Sequence, residues 1–192
     1  MGENAMGLIS VIKDLFSLKK EMDKYLAENN ERQARFLAMS AADMELLSGD
    51  ELFDAVLCRT EHIVDGFDAW EEGVNSLNSS QKLFYCVNWL ETEVNNGGLC
   101  QFFVNSSRMA APLVSVYMGM IGAEEHKKLY DDFVNRNGIN LNDLSFFTIY
   151  KAKDFEKKYK AYPFDEYDNA FYEMEPLETY LKKYIREHLE DF

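Results

Sequence analysis

Residues 48–67, with the sequence SGDELFDAVLCRTEHIVDGF, carry the clearest helical pattern in the chain. Ser48 and Asp50 are both good helix N-caps, and apolar residues then recur at the spacing of one helix face. At about 100° per residue, seven of them fall within an arc of roughly 140°. They are Leu52, Phe53, Val56, Leu57, Ile63, Val64 and Phe67. The pattern predicts an amphipathic helix from Ser48 or Asp50 to about Phe67.

Helical spacing continues along most of the chain, which contains only three prolines and ten glycines in 192 residues. We predict a helix carrying Leu83 to Leu90, a short aromatic helix over 99–104 and a final helix that begins near Pro176. Residues 146–150 could form a short strand. The predicted fold class is all-α: a single compact multi-helix domain over 43–192 with an N-terminal amphipathic helix.

The segment 1–42 precedes this domain and has its own apolar pattern. Apolar residues repeat three and four apart, as in a helix packing seam. They are Leu8, Val11, Leu15, Leu18, Met22 and Tyr25. Either the seam docks on its own domain or it pairs with a second copy as a homodimer. A pattern of under three heptads does not distinguish the two, and we favour docking.

The composition bounds the class of protein. A hydrophobic fraction of 47% supplies a core and argues against disorder, while the formal charge of −14 repels phosphates. Direct binding to nucleic acid is therefore disfavoured and a basic partner protein is favoured. Residues 8–18 are interrupted by Lys13 and Asp14, so we predict no signal peptide or membrane span. Gly2 lacks the Ser or Thr expected four residues later for myristoylation, so we predict no lipid anchor and a cytoplasmic location.

The negative charge is concentrated in two blocks. Residues 43–72 hold ten acids against Arg59 alone, and residues 161–192 hold nine acids against three bases. The candidate partner-binding residues come from both blocks. They are Asp50, Asp54, Glu61, Asp65, Asp68, Glu72, Asp165, Glu166 and Asp168. On one continuous helix, 61, 65, 68 and 72 would form a stripe about 16 Å long at 1.5 Å per residue.

No sequence motif points to catalysis, a metal or a cofactor. Each of the three histidines follows a glutamate, and adjacent helical residues point about 100° apart, which disfavours a shared metal. The odd number of cysteines, without C-x-x-C spacing, indicates neither a disulfide framework nor a zinc site. Phosphate-loop and nucleophile-elbow patterns are absent. We therefore predict a protein without enzymatic activity, metal or cofactor.

A dense polar cluster surrounds the glycine pair at 97–98; we call residues 89–107 the glycine corner. Its candidate residues are Trp89, Glu93, Asn95, Asn96, Gly97, Gly98, Gln101, Phe102, Asn105 and Ser106. In one interpretation the polar groups satisfy backbone groups across a tight helix-loop-helix turn. In the other they line a recess for a ligand or a partner's side chain. The first interpretation is favoured, because amides at a Gly-Gly turn have an immediate structural role.

These residues resemble the signature of the bacterial DNA mimic protein 19 family. The resemblance rests on WLE at 89–91, EVNNGG at 93–98, QFF at 101–103 and NSS at 105–107, with a weaker echo at 164–172. It covers about residues 50–190. The resemblance implies an all-helical fold and a protein that occupies the DNA-binding surface of a DNA-binding protein, such as a transcription regulator.

Three functions therefore compete. A DNA mimic is the first, because a row of fixed carboxylates resembles the phosphates that DNA-binding proteins recognise. An immunity or antitoxin-like protein that neutralises a basic toxin is the second, since it needs the same electrostatic steering. A small enzyme or ligand-binding protein that uses the corner from Asn95 to Ser106 is the third.

Overall fold

The computed structural model describes the backbone of residues 2–192 and the side chains of residue 15 and of residues 17–192 apart from Ala152. The chain divides into two units, Met1–Ser40 and Ala41–Phe192. Within the described residues every regular element is a helix and no strand forms. The predicted all-α fold is confirmed.

The first unit consists of α1 (Gly2–Ala38), whose 37 residues span about 55 Å at 1.5 Å per residue. Near its end Phe36 is buried, and the guanidinium carbons of Arg32 and Arg35 lie 5.1 and 5.0 Å from the centre of its ring. The predicted N-terminal helix is therefore present. The side chains of Leu8 and Val11 in the predicted seam lie outside the described residues.

The second unit contains nine α-helices in its described residues, joined by short turns. They are α2 (Ala41–Glu45), α3 (Gly49–Val64), α4 (Trp70–Ser76), α5 (Ser79–Val104), α6 (Ala111–Met120), α7 (Glu124–Arg136), α8 (Ala152–Tyr159), α9 (Phe164–Tyr172) and α10 (Leu177–Glu187). Three 3₁₀ turns lie at Ser106–Ala110, Ser145–Phe147 and Leu189–Asp191.

Helix α5 forms the centre of the second unit and packs against α3, α4, α6, α8, α9 and α10. It starts at a reciprocal capping box, in which Asn78 and Gln81 each bond the other's backbone N–H. Leu83, Leu90 and Leu99 along its length are fully buried. Because α5 contacts six other helices, a change in its path alters the whole core.

Residues 146–150 do not form the strand that we considered. Ser145–Phe147 is a 3₁₀ turn that places the Phe147 ring in the core, 4.9 Å between centroids from Phe103 and 6.4 Å from Phe164. A strand needs a neighbouring strand to satisfy its backbone, and the described chain offers none there. The aromatic packing fixes the turn instead.

The predicted starts of α3 and α10 are confirmed, but the predicted end of α3 is wrong. Ser48 caps α3 by accepting from the Glu51 N–H at 3.2 Å, and α10 follows Pro176 directly. Helix α3 ends at Val64, three residues before Phe67, because the Gly66 N–H bonds the Ile63 carbonyl and tightens the last turn.

Candidate functional site

The glycine corner is a break in α5. Gly98 adopts a φ of +78° and a ψ of 174°, a conformation that only glycine adopts readily. The break removes the helical partner of the Leu99 N–H, which donates instead to the Asp168 carboxylate of α9 at 2.8 Å. A Cβ atom at Gly98 would lie 2.1 Å from Asp168 Oδ2. The two elements therefore meet at a distance that allows no side chain at position 98.

A second bond from α9 closes the other side of the break. The Tyr172 hydroxyl donates to the Val94 carbonyl at 2.7 Å, and this carbonyl lies four residues before Gly98. Asp168 and Tyr172 are four residues apart and so share one face of α9. One turn of α9 thus satisfies a backbone donor and a backbone acceptor of the broken helix.

Glu93 is the centre of a buried hydrogen-bond network just before the break. Its carboxylate is 5% exposed and accepts from Gln101 Nε2 at 2.7 Å, from Asn105 Nδ2 at 2.8 and 3.0 Å, and from Ser107 Oγ at 2.9 Å. These donors belong to the second half of α5 and the turn after it. The network therefore fixes the angle between the two halves of α5.

Glu91 caps a different helix. Its buried carboxylate accepts from the N–H groups of Leu177 at 2.7 Å and Glu178 at 2.8 Å, at the positive N-terminus of α10. Burial raises its pKa above the usual value, and the nearby Glu178 carboxylate adds to the increase. Glu91 thus ties α5 to the last helix of the chain.

The remaining residues of the glycine corner divide between core and surface. Phe102 is fully buried, and Trp89 is partly buried with its ring beside that of Tyr85. Asn95, Asn96 and Ser106 are exposed. These contacts favour the structural interpretation of the corner, with one difference from the expectation: carboxylates, not amides, bind the free backbone N–H groups.

The candidate acids 61, 65, 68 and 72 do not form the predicted stripe on one helix. Helix α3 ends at Val64 and α4 begins at Trp70, so these acids occupy the end of one helix, a loop and the first turn of the next. The two helices meet closely: a Cβ atom on Gly73 would lie 2.6 Å from the Val64 carbonyl oxygen. Val64 adjoins Asp65 and Gly73 adjoins Glu72, so this contact brings the two ends of the acidic run together.

We call the resulting set the acidic surface. It comprises Glu61, Asp65, Asp68, Glu71 and Glu72. Glu61 is partly buried and the other four are exposed. The sequence contains no lysine or arginine between Arg59 and Lys82. Five carboxylates thus occupy one short region of the sequence without a lysine or arginine between them.

An aromatic layer supports the acidic surface. Tyr85 is buried in α5, with ring centroids 6.0 Å from Trp70 of α4 and 6.0 Å from Trp89. The pKa of Tyr85 is raised, mainly by burial, and the Glu61 and Asp65 carboxylates increase it further. The two carboxylates therefore lie near a packed aromatic cluster, which holds their helix ends in place.

Two members of the acidic surface, Glu61 and Asp65, are placed unfavourably. Burial raises the pKa of Glu61, and the Asp65 carboxylate four residues later raises it further. Asp65 also occupies the C-cap of α3, where the helix dipole disfavours negative charge. Glu71 and Glu72 differ, because they lie in the first turn of α4, where the dipole favours acids.

Asp65→Asn should therefore stabilise the protein by about 0.5 kcal/mol at pH 7, because it removes a like-charge pair and a charge at a helix C-terminus. A raised pKa means that the folded chain holds its Glu61 proton longer than the unfolded chain. The free-energy cost of ionising Glu61 in the folded chain is therefore absent below its ordinary pKa of 4.5 and grows as pH rises through the raised pKa. Urea unfolding of the wild type and the variant at pH 7 and at pH 4 measures the stability gained. An equal or larger gain in stability at pH 4 would contradict the explanation.

At the other end of α3 the acids are compensated by bases. Lys182 of α10 lies 2.5 Å from Asp50 and 2.5 Å from Glu178. Arg186 donates to the carbonyls of Glu45 and Leu47. Asp54 is partly buried on the same helix. Where the two acidic blocks meet, at the contact of α3 with α10, basic side chains thus lie between them.

The three candidates on α9 have different positions. Asp165 and Glu166 are exposed in its first turn, and the Tyr159 hydroxyl donates to Asp165. Asp168 is 7% exposed and its carboxylate accepts from the Leu99 N–H. The prediction that Asp168 contacts a partner is therefore wrong, because its carboxylate is buried in the core. Helix α9 packs on α5 and α7, whereas α3 packs on α4, α5 and α10.

Within the described residues, no group of three His, Cys, Asp or Glu side chains is placed to hold a metal ion. Cys58, Cys86 and Cys100 form no disulfide in the described part of the chain, and burial raises the pKa of Cys86 and of Cys100 to about 12. His126 is buried against Phe171 and has a lowered pKa because of that burial. In the same part of the chain, no helix combines the length and apolar character that crossing a bilayer requires.

A family model matches the part of the chain that contains the glycine corner. The family model described as DMP19-like protein matches residues 75–188, which include the whole corner, Asp168 and Tyr172. The match begins after the acidic surface. Neither a curated protein nor a solved structure matches the chain. The matched segment covers more than half of the chain, and the chain therefore belongs to the DMP19-like protein family.

Proposed function

We propose that this protein is a DNA mimic, which uses the acidic surface to occupy the DNA-binding surface of a basic protein such as a transcription regulator. One observation carries the proposal: five carboxylates lie at the junction of α3 and α4, and no lysine or arginine occurs between Arg59 and Lys82. DNA-binding proteins contact phosphates mainly through lysine and arginine. A fixed group of carboxylates, in a segment without lysine or arginine, presents the same sign of charge to those side chains.

The local energetics support a role in binding. Surface acids that serve only solubility are normally interspersed with bases, as at the contact between Asp50 and Lys182. At the acidic surface, Glu61 and Asp65 repel each other instead, and the pKa of Glu61 is raised. Sites that keep an unfavourable local arrangement are often functional sites.

Family membership and net charge support the same class of partner. The DMP19-like family is consistent with DNA mimicry, and a charge of −14 attracts basic proteins while it repels nucleic acids. We further propose a cytoplasmic location and a binding role that requires no cofactor. Asp165 and Glu166, exposed on α9, are secondary candidates for the same partner.

Affinity capture from the native cell tests the proposal. Wild-type bait is compared with bait that carries Glu61→Gln, Asp65→Asn, Asp68→Asn and Glu72→Gln. A matched control neutralises four other exposed acids: Glu124→Gln, Glu125→Gln, Glu187→Gln and Glu190→Gln. We expect wild-type and control baits to retain one basic, DNA-binding protein. The bait neutralised at the acidic surface should retain at least tenfold less of that protein.

The identity of the captured protein separates the alternatives. A basic toxin that does not bind DNA would support the immunity-like function and contradict mimicry. Equal capture by both variants would show that the acidic surface is not the binding surface. A partner that is lost from both variants equally would indicate a general effect of net charge.

A further inference from the structure

The first unit carries an exposed apolar seam that the proposed function does not use. Leu15, Leu18, Met22 and Tyr25 of α1 are 60%, 61%, 57% and 64% exposed. Their spacing alternates three and four, and the sequence continues it back to Val11 and Leu8. Such a seam matches the a and d positions of a coiled coil. A helix with this pattern needs a partner helix to cover it.

The heptad register identifies the kind of partner. With Leu15 and Met22 at a positions and Leu18 and Tyr25 at d positions, the next a position is Asn29, which is partly buried. A single Asn at an a position specifies a parallel, two-stranded coiled coil in register, because the two amides can meet across the seam. The polar residue therefore points to a second copy of the same helix.

The charges beside the seam support the same orientation. In this register the described g positions hold Glu21 and Glu28, and the described e positions hold Lys19, Leu26 and Gln33. In a parallel pair each g residue faces the e residue five positions later in its partner, so Glu21 faces Leu26 and Glu28 faces Gln33, and no like charges meet. An antiparallel pair would place the acidic g rows opposite each other, which is repulsive.

We infer that α1 pairs with α1 of a second copy of this chain as a parallel, in-register, two-stranded coiled coil over residues 8–29. The pairing requires no third component and does not depend on the proposed function. If the proposed function also holds, one dimer presents two acidic surfaces. Many DNA-binding regulators are themselves two-fold symmetric, so a bivalent decoy would gain avidity on them.

Sedimentation analysis of the full chain tests the pairing. The wild type should sediment at twice the chain mass of 22.3 kDa. A seam variant with Leu18→Glu and Met22→Glu should sediment as a monomer, whereas a control with Ser17→Glu and Ala27→Glu, two exposed positions outside the seam, should remain a dimer. Near-UV circular dichroism verifies that the second unit stays folded. A monomeric wild type, or a folded seam variant that stays dimeric, would overturn the inference.

Disulfide cross-linking tests the orientation. Single Leu18→Cys and Tyr25→Cys variants are made in a Cys58→Ser background, because Cys58 is the one described native thiol that is not fully buried. A parallel, in-register pair brings each new cysteine next to its own copy, so both variants should cross-link. An antiparallel pair in one register can cross-link at most one of them, and that result would overturn the parallel arrangement.

Discussion

Gly98→Ala should destabilise the second unit by about 3 kcal/mol or more, because two independent costs coincide at this position. The φ of +78° with a ψ of 174° is costly for any residue with a Cβ atom. The added Cβ would also lie 2.1 Å from Asp168 Oδ2, and relieving this overlap would break the bond of Asp168 to the Leu99 N–H. Urea unfolding followed by circular dichroism measures the loss.

Gly122 provides a matched control for the conformational part of that cost. It also has a positive φ, of +79°, but a Cβ atom there meets nothing within 4 Å. Gly122→Ala should therefore cost only about 1 kcal/mol. If the two substitutions proved equally costly, the close approach of α9 to the break in α5 would not matter for stability.

Glu93→Ala should have the second large effect, a loss of about 3 kcal/mol. Three side chains, Gln101, Asn105 and Ser107, donate to the Glu93 carboxylate, and the bond from Ser107 is buried. Removing the acceptor leaves that hydroxyl without a partner and leaves a cavity beside α5. Glu93→Gln should lose less, about 1 to 2 kcal/mol, since its amide oxygen can still accept.

Asn96→Ala is the control for Glu93→Ala, because Asn96 belongs to the same sequence motif but is exposed. Its effect should stay within about 0.5 kcal/mol. A ligand-binding corner would behave differently: Asn96→Ala would then abolish binding or turnover of a small molecule while the fold stayed intact. Thermal unfolding of both variants, with the wild type alongside, decides between these outcomes.

Local features of the fold could be predicted because their signals are local in the sequence. The start of α3 at Ser48 follows from its N-cap chemistry, and the break at 97–98 follows from a glycine pair in a helical pattern. The start of α10 after Pro176 follows from the fixed φ of proline. The end of α3 was missed because Gly66 permits, but does not require, a helix to end before it.

The roles of the buried carboxylates could not be predicted because they depend on contacts between distant residues. Asp168 binds the Leu99 N–H from 69 positions away, and Glu91 binds the Leu177 N–H from 86 positions away. A sequence pattern assigns acids to the surface by default, since Asp and Glu are seldom fully buried. The sequence pattern therefore predicts Asp168 on a partner-binding surface, whereas in the structure its carboxylate binds the backbone of α5.

The central claim is that the acidic surface competes with DNA, and a competition titration tests it most directly. The protein retained by wild-type bait is bound to labelled duplex DNA, and this chain is added at low and at high salt. The account predicts that the wild-type chain displaces the DNA and that displacement weakens steeply with salt. The concentration that displaces half of the DNA should be at least tenfold higher for the variant neutralised at Glu61, Asp65, Asp68 and Glu72. Binding of this chain to the protein–DNA complex without release of the DNA would contradict it.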